Sequence, residues 1–183
     1  MTPAFAGPEG EDPRASATRE DLFRLLDELG IPHRTVQYRP VHTVDEARAH
    51  RGELPGGHCK NLFLKDRKGR LFLVVMLEDR PIDIQKLARH LGVARLSFGN
   101  PDLLREALGV EPGSVTPFAL MNDRRARVEA VLDRDMLEHD PLHYHPLEND
   151  ATTAIAAEDL LRFIAACGHR PRIVDFEDLT PSG

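Results

Sequence analysis

The residue best placed to do chemistry is Lys60, which begins an apolar segment directly after the stretch Gly56 to Cys59. Consecutive glycines let a ligand approach the backbone closely, and a side chain at a strand end combines a rigid base with access to a cleft. A solvated lysine on an edge strand is the commoner case. Here, however, His58, Cys59 and Asn61 add hydrogen-bonding or reactive groups beside the cation. We therefore predict a functional site around Lys60.

A metal site is a second interpretation, because His143 and His145 lie two residues apart and would share one face of a strand. A third ligand would have to come from His58, Cys59 or Asp123, and none of these has a diagnostic spacing. The prediction is that the protein uses no metal and no other cofactor.

Nucleophilic catalysis has two candidate residues. Cys59 lacks the local signature of a cysteine hydrolase, which favours a buried structural cysteine. Ser114 lacks the flanking glycines of a serine hydrolase elbow, so it is predicted to be a hydrogen-bond donor in a pocket. The segment Glu111 to Phe118 contains two prolines and a glycine, which predicts a shaped loop with exposed backbone donors.

Apolar spacing and capping residues predict the elements that position these groups. Helices are predicted after Ser16 or Thr18, Thr43, Asp83 and Asn100, and over Glu158 to Ala166. Strands are predicted at His33–Tyr38, Lys60–Asp66, Arg70–Leu77, Leu96–Phe98, Arg127–Leu132, Leu142–His145, Thr152–Ala156 and Arg172–Phe176. Short helices interleaved with about seven strands predict a mixed α/β (α+β) fold with a barrel-like sheet and surrounding helices.

The length of 183 residues suits one domain, which we place at residues 18–177. Residues 1–17 are predicted to be a disordered tail and residues 178–183 a polar tail. The first segment has no apolar core or early positive charge, which argues against a secretory signal. The longest apolar run, Leu71 to Leu77, is too short for a membrane span. Cys59 and Cys167 form no CxxC pair, which favours a reducing, cytoplasmic setting.

The net charge of −6 argues against a nucleic-acid binder that relies on a broad positive field. It leaves room for local contacts with phosphate. The segment from Lys60 to Arg70 contains a run of basic residues, and such a cluster could hold a few phosphate groups, although a solvated hairpin tip is the commoner case.

Three segments together carry a resemblance to a known family: Cys59 to Leu64, Gly113 to Phe118, and His145 to Thr153. Their combination, in this order, resembles the YbaK-type prolyl-tRNA editing domain family. Within that family the chain is most similar to the freestanding alanyl-tRNA(Pro) deacylases called ProXp-ala. The resemblance extends from about Thr18 to Phe176 and excludes the N-terminal segment.

The resemblance implies an enzyme that hydrolyses the ester between alanine and the terminal adenosine of tRNA for proline, with prolyl-tRNA synthetase as a second partner to test. It assigns the central catalytic role to Lys60, with Asn61 and His145 beside it. An ordinary lysine stays protonated at neutral pH, so Lys60 is expected to act as an electrostatic clamp rather than a base. The expected substrate-binding residues are Gly113, Ser114, Val115, Thr116, Phe118, Asn149 and Thr152.

Two alternatives remain at this stage. The same reaction could act on cysteinyl- or seryl-tRNA, or the chain could be a non-catalytic module that binds tRNA or a synthetase. A decayed module would not need to retain Lys60, the Gly113 loop and His145 together, which favours an enzyme.

Overall fold

The two longest strands form where the sequence is most apolar. In the computed structural model, which describes residues 15–38, 45–46, 49 and 54–183, β2 and β3 make an antiparallel hairpin. The carboxylate of Asp66 accepts hydrogen bonds from the backbone N–H groups of Lys68 and Arg70, both at 2.8 Å, and so fixes the turn. Nearly all of β3 is buried, which makes it the centre of the sheet.

The described residues form eight strands, and each overlaps one of the eight segments named from the sequence, although the predicted total was about seven. Their order across the sheet is β1-β7-β6-β2-β3-β5-β8, and β4 pairs with β2. Pairing is antiparallel for β1 with β7, β6 with β7, β2 with β3 and β2 with β4, and parallel for β2 with β6, β3 with β5 and β5 with β8. The strands are β1 Arg34–Gln37, β2 Gly57–Asp66, β3 Leu71–Leu77, β4 Leu96–Phe98, β5 Val128–Asp133, β6 Leu142–Tyr144, β7 Ala151–Ile155 and β8 Arg172–Val174. The predicted mixed α+β class is confirmed.

Helix starts follow their predicted capping residues. Thr18 and Asp21 form a reciprocal capping box, Asp83 caps the next helix, and Asn100 precedes a proline at the first helical position. The α-helices that lie wholly within the described residues are α1 Arg19–Glu28, α2 Ile84–Leu91, α3 Pro101–Leu108 and α4 Ala157–Ala166. Short 3₁₀ helices occupy Pro117–Asn122, Asp135–Glu138 and Glu177–Leu179. The helix predicted after Thr43 begins outside the described residues.

The sheet separates two apolar clusters. On one face, Cys59 and Phe63 of β2 pack with α1, α3, α4 and the 3₁₀ helix that begins at Pro117. On the other face, Leu62 and Leu64 of β2 pack with α2 and the C-terminal segment. Residues of β2 that differ by one position therefore belong to different sides of the molecule.

Residues at both predicted tail boundaries contact the domain. The backbone N–H of Ala17 donates to Oδ1 of Asn122 at 2.8 Å. Leu179 is buried, and Nζ of Lys86 donates to the carbonyl of Thr180 at 2.7 Å. In the described part of the chain, no helix has the length and apolar character required to cross a membrane.

Candidate active site

Lys60 lies near the start of β2, on the face that carries Leu62 and Leu64. Its ammonium donates a hydrogen bond to the backbone carbonyl of Arg80, just after β3. Burial lowers the pKa of Lys60 below its ordinary value, while the nearby charges of Glu78 and Asp79 act in the opposite direction. The side chain is thus a partly buried cation whose position is fixed by main chain.

The pairing of neighbouring strands relates two further predicted site residues, His145 and Thr152, to Lys60. We call residues that lie opposite one another on adjacent strands a row. Strand β6 pairs in parallel with β2 at Gly57↔Leu142 and His58↔His143, so continuing this register sets His145 beside Lys60. Strand β6 pairs with β7 at Tyr144↔Thr153, and one step further sets His145 opposite Thr152. The pairing itself ends at His143 and β6 ends at Tyr144, so it is this extended register that assigns the row of Lys60, His145 and Thr152 to the same side of the sheet.

The ring of His145 is held in one orientation. Its Nδ1 lies 3.0 Å from the carbonyl oxygen of Ala151 and 3.5 Å from the hydroxyl of Tyr38, which itself donates to Ala151 at 3.2 Å. A carbonyl oxygen can only accept, so Nδ1 carries a proton. In the neutral imidazole, Nε2 is then the acceptor atom. Sequence reasoning missed Tyr38, because a tyrosine at the end of a short strand has no local signature.

Asn61 lies on the opposite face from Lys60, since β2 pairs with β3 without a bulge through both residues. The amide oxygen of Asn61 is buried and has no hydrogen-bond partner among the described residues. The two side chains therefore approach a common ligand only from different sides of the strand. Sequence reasoning treated them as adjacent groups in one pocket, and the alternation of a strand separates them.

The edge of β2 has a gap near Asn61. On this edge β2 pairs with β6 at Gly57 and His58 and with β4 from Leu64 to Asp66. The backbone of Gly57 bonds to Pro141, and the carbonyl of Phe63 accepts from Gly99, both on this edge. Alternate residues of a strand point their backbone groups to the same edge, so the N–H and C=O of Asn61 face the gap.

The Gly113 loop meets the β6–β7 connection rather than Lys60. A Cβ on Gly113, whose φ is +87°, would lie 3.8 Å from the side-chain nitrogen of Asn149. The N–H of Ser114 is already used, since it donates to the carbonyl of Glu111 at 3.0 Å. Among the backbone N–H groups of Gly113, Ser114 and Val115, that of Ser114 is thus the one used in this turn.

The last part of this loop is built into the core. Thr116 is fully buried and caps the 3₁₀ helix that begins at Pro117, where the sequence predicted an irregular loop. Phe118 is fully buried and packs edge-on against Tyr144 and Phe163. The side chains of these two residues therefore cannot touch a ligand directly. They can affect binding only by fixing the position of the loop.

An arginine from another element holds the β6–β7 connection. The guanidinium of Arg19, at the start of α1, forms ion pairs with Asp150 and, at 3.0 Å, with Glu148. The side chain of Arg19 is only 10% exposed, whereas those of Glu148 and Asp150 are 65% and 40% exposed, so the pairs remain partly open to solvent. This contact joins α1 to the segment that carries His145 and Asn149. No local sequence pattern indicates this contact, because Arg19 and Asp150 are more than a hundred residues apart.

His58 and His143 stack with ring centroids 5.2 Å apart. Their Nε2 atoms lie 3.1 Å and 2.7 Å from the backbone carbonyls of Leu54 and Pro55, so both nitrogens act as donors to main chain. Asp123, proposed from the sequence as a third metal ligand, instead accepts from backbone N–H groups of its own turn. Among the described residues, no group of three or more potential metal ligands is found.

The thiol of Cys59 is buried between β2 and β6. Its Sγ lies 3.6 Å from the hydroxyl of Tyr144 and 3.8 Å from the carbonyl of Gly57. Burial, followed by the neighbouring Cys59, raises the pKa of Tyr144 well above its usual value. A phenol that stays protonated cannot serve as a base for the thiol. The predicted structural role of Cys59 fits this environment.

A cavity of about 640 Å³ opens at the N-terminal end of β2, and it is lined by neighbours of Lys60 rather than by Lys60 itself. It lies where Gly56 and Gly57 enter β2 and where the chain leaves β3, and Arg80, whose carbonyl binds Lys60, is part of its wall. The two glycines are sterically required: a Cβ on Gly56 would lie 2.1 Å from the carbonyl oxygen of Pro141, and one on Gly57 would lie 2.9 Å from Cβ of His139. The glycine pair thus allows β6 and the segment before it to approach the entry to β2 closely.

These features define a partly buried cation and an oriented imidazole on one face of a mixed sheet, next to a cavity. The sequence profile of the aminoacyl-tRNA editing domain matches residues 39–163. The chain therefore belongs to the aminoacyl-tRNA editing domain family, and the resemblance seen in the sequence is confirmed.

Individual relatives narrow the comparison. The chain is 42% identical over 161 residues to the prolyl-tRNA synthetase associated domain-containing protein 1 of Danio rerio, covering 87% of this chain and 88% of the relative. It is 36% identical over 158 residues to the prolyl-tRNA editing protein ProX of Acetoanaerobium sticklandii, covering 86% of this chain and 96% of that protein. The chain is thus an editing domain related to prolyl-tRNA editing proteins.

A solved structure confirms the fold. The crystal structure of a candidate trans-editing enzyme for prolyl tRNA synthetase superposes with a TM-score of 0.67 at 22% identity, covering 92% of this chain and all of that one. At this identity the likeness supports the architecture and nothing finer.

Proposed function

We propose that the chain is an aminoacyl-tRNA deacylase that acts in trans on alanyl-tRNA(Pro) and works in the cytoplasm without a metal ion. The observation that supports this proposal most directly is the position of Lys60, whose ammonium binds the carbonyl of Arg80 in the wall of the cavity. It provides a fixed positive charge, and His145 adds an oriented imidazole; both groups can promote hydrolysis of a small, polar ester.

In the proposed reaction, Lys60 is an electrostatic clamp. Its ammonium holds the terminal phosphate or the ester oxygens while water attacks the carbonyl carbon of the ester. A hydroxyl of the tRNA ribose assists the attack, and the products are free alanine and tRNA with its ribose oxygen protonated. The backbone N–H groups of Gly113 and Val115 are the proposed donors to the developing oxyanion.

The remaining polar groups orient the substrate. His145 has its Nδ1 fixed by Ala151, so its Nε2 is proposed to accept from the α-amine of the aminoacyl group. The amide of Asn61, with its buried oxygen, is proposed to bind the ribose or the aminoacyl group at the gap in β2. Asn149 and Thr152 complete the proposed binding surface, together with the loop from Gly113 to Phe118.

Editing in trans has a physical reason. A synthetase pocket that fits proline rejects the smaller alanine only weakly, by about 1–3 kcal/mol for a missing methylene. A second site that admits a methyl group and excludes a pyrrolidine ring discriminates in the opposite direction. Prolyl-tRNA synthetase is the proposed protein partner, since curated relatives carry its name.

Lys60 variants test the clamp. Single-turnover hydrolysis of alanyl-tRNA(Pro) is expected to fall by roughly a hundredfold in Lys60→Ala, because a fixed charge next to the reacting ester is removed. Lys60→Arg keeps the charge but cannot act as a base, so it is expected to retain more activity than Lys60→Ala. Undiminished hydrolysis by Lys60→Ala would refute the clamp.

A panel of esters on one tRNA tests the substrate. Alanyl, seryl, cysteinyl and prolyl esters of tRNA(Pro) are compared at equal enzyme concentration, and alanyl ester is expected to be hydrolysed fastest. Faster cleavage of the cysteinyl or seryl ester would reassign the substrate. Binding of tRNA with no hydrolysis of any ester would favour a non-catalytic module.

A further inference from the structure

Three basic turns meet at the end of the sheet opposite Lys60. They are residues 67–70 between β2 and β3, residues 124–127 before β5, and residues 169–172 at the start of β8; we call them the basic turns. Strands β3 and β5 are parallel and start in register at Leu71↔Val128, and β8 runs parallel to β5. The topology thus collects the turns at one edge, around a groove of about 430 Å³.

Buried aspartates hold two of these turns. Asp66 accepts from the backbone N–H groups of Lys68 and Arg70, and Asp123 accepts from those of Arg127 at 3.1 Å and Val128 at 2.7 Å. Asp66 and Asp123 are 7% and 4% exposed, so their carboxylates face the backbone rather than solvent.

The third turn is tied to the second. The imidazole of His169 is buried, and its Nε2 lies 3.2 Å from the backbone carbonyl of Asp123. In this way the turn that carries Arg170 is fixed against the one that carries Arg124 and Arg125. These two turns are thus one built surface, and Arg70 of the first turn is linked to Arg172 of the third through Glu129.

The charge of this surface is only partly balanced. Arg70 and Arg172 share Glu129, at 3.3 Å and 2.8 Å, and Arg127 pairs with Glu106 at 3.0 Å. In the described chain, no ion pair is found for the other exposed basic residues of the turns, which are Arg67, Lys68, Arg124, Arg125 and Arg170. A protein of net charge −6 therefore has a concentrated positive surface at one end.

We propose that the basic turns bind the phosphate backbone of tRNA, away from its 3′ end. This inference rests on the proposed function for the identity of the RNA. Leu71 and Met76 are five strand positions apart, or about 17 Å, and Met76 is the partner of Lys60. A surface at this distance is too far away to hold the ester and its adenosine, so it contacts the RNA further along the strand.

RNA fits the groove better than an acidic protein does. Arginine forks match the geometry of phosphate oxygens. A protein interface normally has an apolar centre, and none of the large apolar side chains exposed in the described chain (Val36, Phe98 and Ile173) lines this groove.

The test compares two double variants of equal charge. Arg124→Gln/Arg125→Gln removes two exposed cations from the basic turns, and Arg24→Gln/Arg162→Gln removes two exposed cations from α1 and α4. Binding of uncharged tRNA(Pro) is measured over a series of salt concentrations, with thermal melting as a check of folding. The first variant is expected to bind roughly tenfold more weakly near 0.1 M salt. Its plot of log K against log salt, which has a negative slope, is expected to become shallower by about two.

The matched control is expected to keep both the affinity and the salt slope of the original chain. Equal affinity for tRNA and equal salt slope in the two double variants would overturn the proposal. If an acidic peptide then bound the original chain and the control but not the first variant, the surface would be assigned to a protein partner.

A short substrate separates this inference from the proposed function. Wild type and Arg124→Gln/Arg125→Gln are expected to hydrolyse an alanyl ester of a short 3′-end oligonucleotide equally well, while the variant shows a raised KM on full-length tRNA. If wild type hydrolysed neither substrate but the variant lost tRNA binding, the deacylase proposal would fail and the RNA surface would stand.

Discussion

At the scale of single residues, the position of Lys60 combines opposing electrostatic effects. Burial disfavours the charged amine and lowers its pKa, while Glu78 and Asp79 favour the charged form. The hydrogen bond to the carbonyl of Arg80 adds a fixed acceptor. The result is a cation that is oriented by main chain and loses its proton more readily than an ordinary lysine.

This environment predicts an alkaline limit to activity. Because burial lowers the folded-state pKa of Lys60, the positive charge of the proposed clamp is lost as pH rises through the lowered value, at a lower pH than for an ordinary lysine. Single-turnover rates, corrected for spontaneous ester hydrolysis, are expected to decline with rising pH, and the decline should begin at a lower pH than the titration of an ordinary lysine. Lys60→Arg should lack this limb, because guanidinium stays charged. A decline at the same pH in both proteins would assign it to another group.

Residue identities were enough to propose part of the candidate site, whose roles stay predictions. Lys60 stood out because glycines and polar side chains surround it, and His145 because a family motif contains it. The separation of Lys60 and Asn61 follows from strand alternation, so the sequence carried that signal. The ion pairs of Arg19 and the hydroxyl of Tyr38 could not be predicted, since they depend on contacts between distant segments.

At the scale of elements, the site depends on where β6 docks. Strand β6 has only three residues and pairs with β2 at two register positions, yet this register is what relates His145 to Lys60. Gly56 and Gly57 permit this docking, because the backbone of Pro141 and the side chain of His139 occupy the space where Cβ atoms would lie.

Alanine substitutions at two glycines test this docking. Gly56 and Gly92 both have positive φ, but only Gly56 has a close neighbour, since nothing lies within 4 Å of a Cβ at Gly92. Gly92→Ala is expected to cost about 1 kcal/mol of unfolding free energy. Gly56→Ala is expected to cost about 2 kcal/mol more and to slow deacylation. Denaturant unfolding and single-turnover hydrolysis are the measurements, and equal losses in both variants would contradict the steric argument.

Local signals predicted the elements better than their pairing. The β2–β3 hairpin and the capped helices followed from apolar spacing and from Asp83, Asn100 and Thr18. The 3₁₀ helix at Pro117–Asn122 was missed, because proline and small polar residues are equally typical of a loop. Parallel pairing of β2 with β6 has no local signature, since the partners are distant in the sequence.

At the scale of the whole molecule, the two faces of the sheet have separate apolar clusters. The second cluster is closed by the C-terminal segment, where Leu179 is buried and its carbonyl accepts from the N–H of Asp83 at 2.8 Å. The same segment supplies Glu177 and Thr180 to the wall of the cavity near Lys60. Stability of this cluster and the shape of the cavity are therefore linked.

Truncating Leu179 measures that link. Leu179→Ala is expected to lower the free energy of unfolding by about 2–3 kcal/mol, because a buried side chain is removed from the second cluster. Ile173, which is 44% exposed, is the control, and Ile173→Ala is expected to cost less than about 1 kcal/mol. Chemical denaturation gives both values. Similar values for the two variants would show that the C-terminal segment adds little to the cluster.

The aspartates beneath two of the basic turns have a consequence for the thermodynamics of RNA binding. A flexible basic loop loses conformational entropy when phosphate fixes it, which weakens affinity. Asp66 and Asp123 already fix the backbone of their turns. The proposed binding of RNA to this surface should therefore carry a small entropic cost, and few cations would then suffice in an acidic protein.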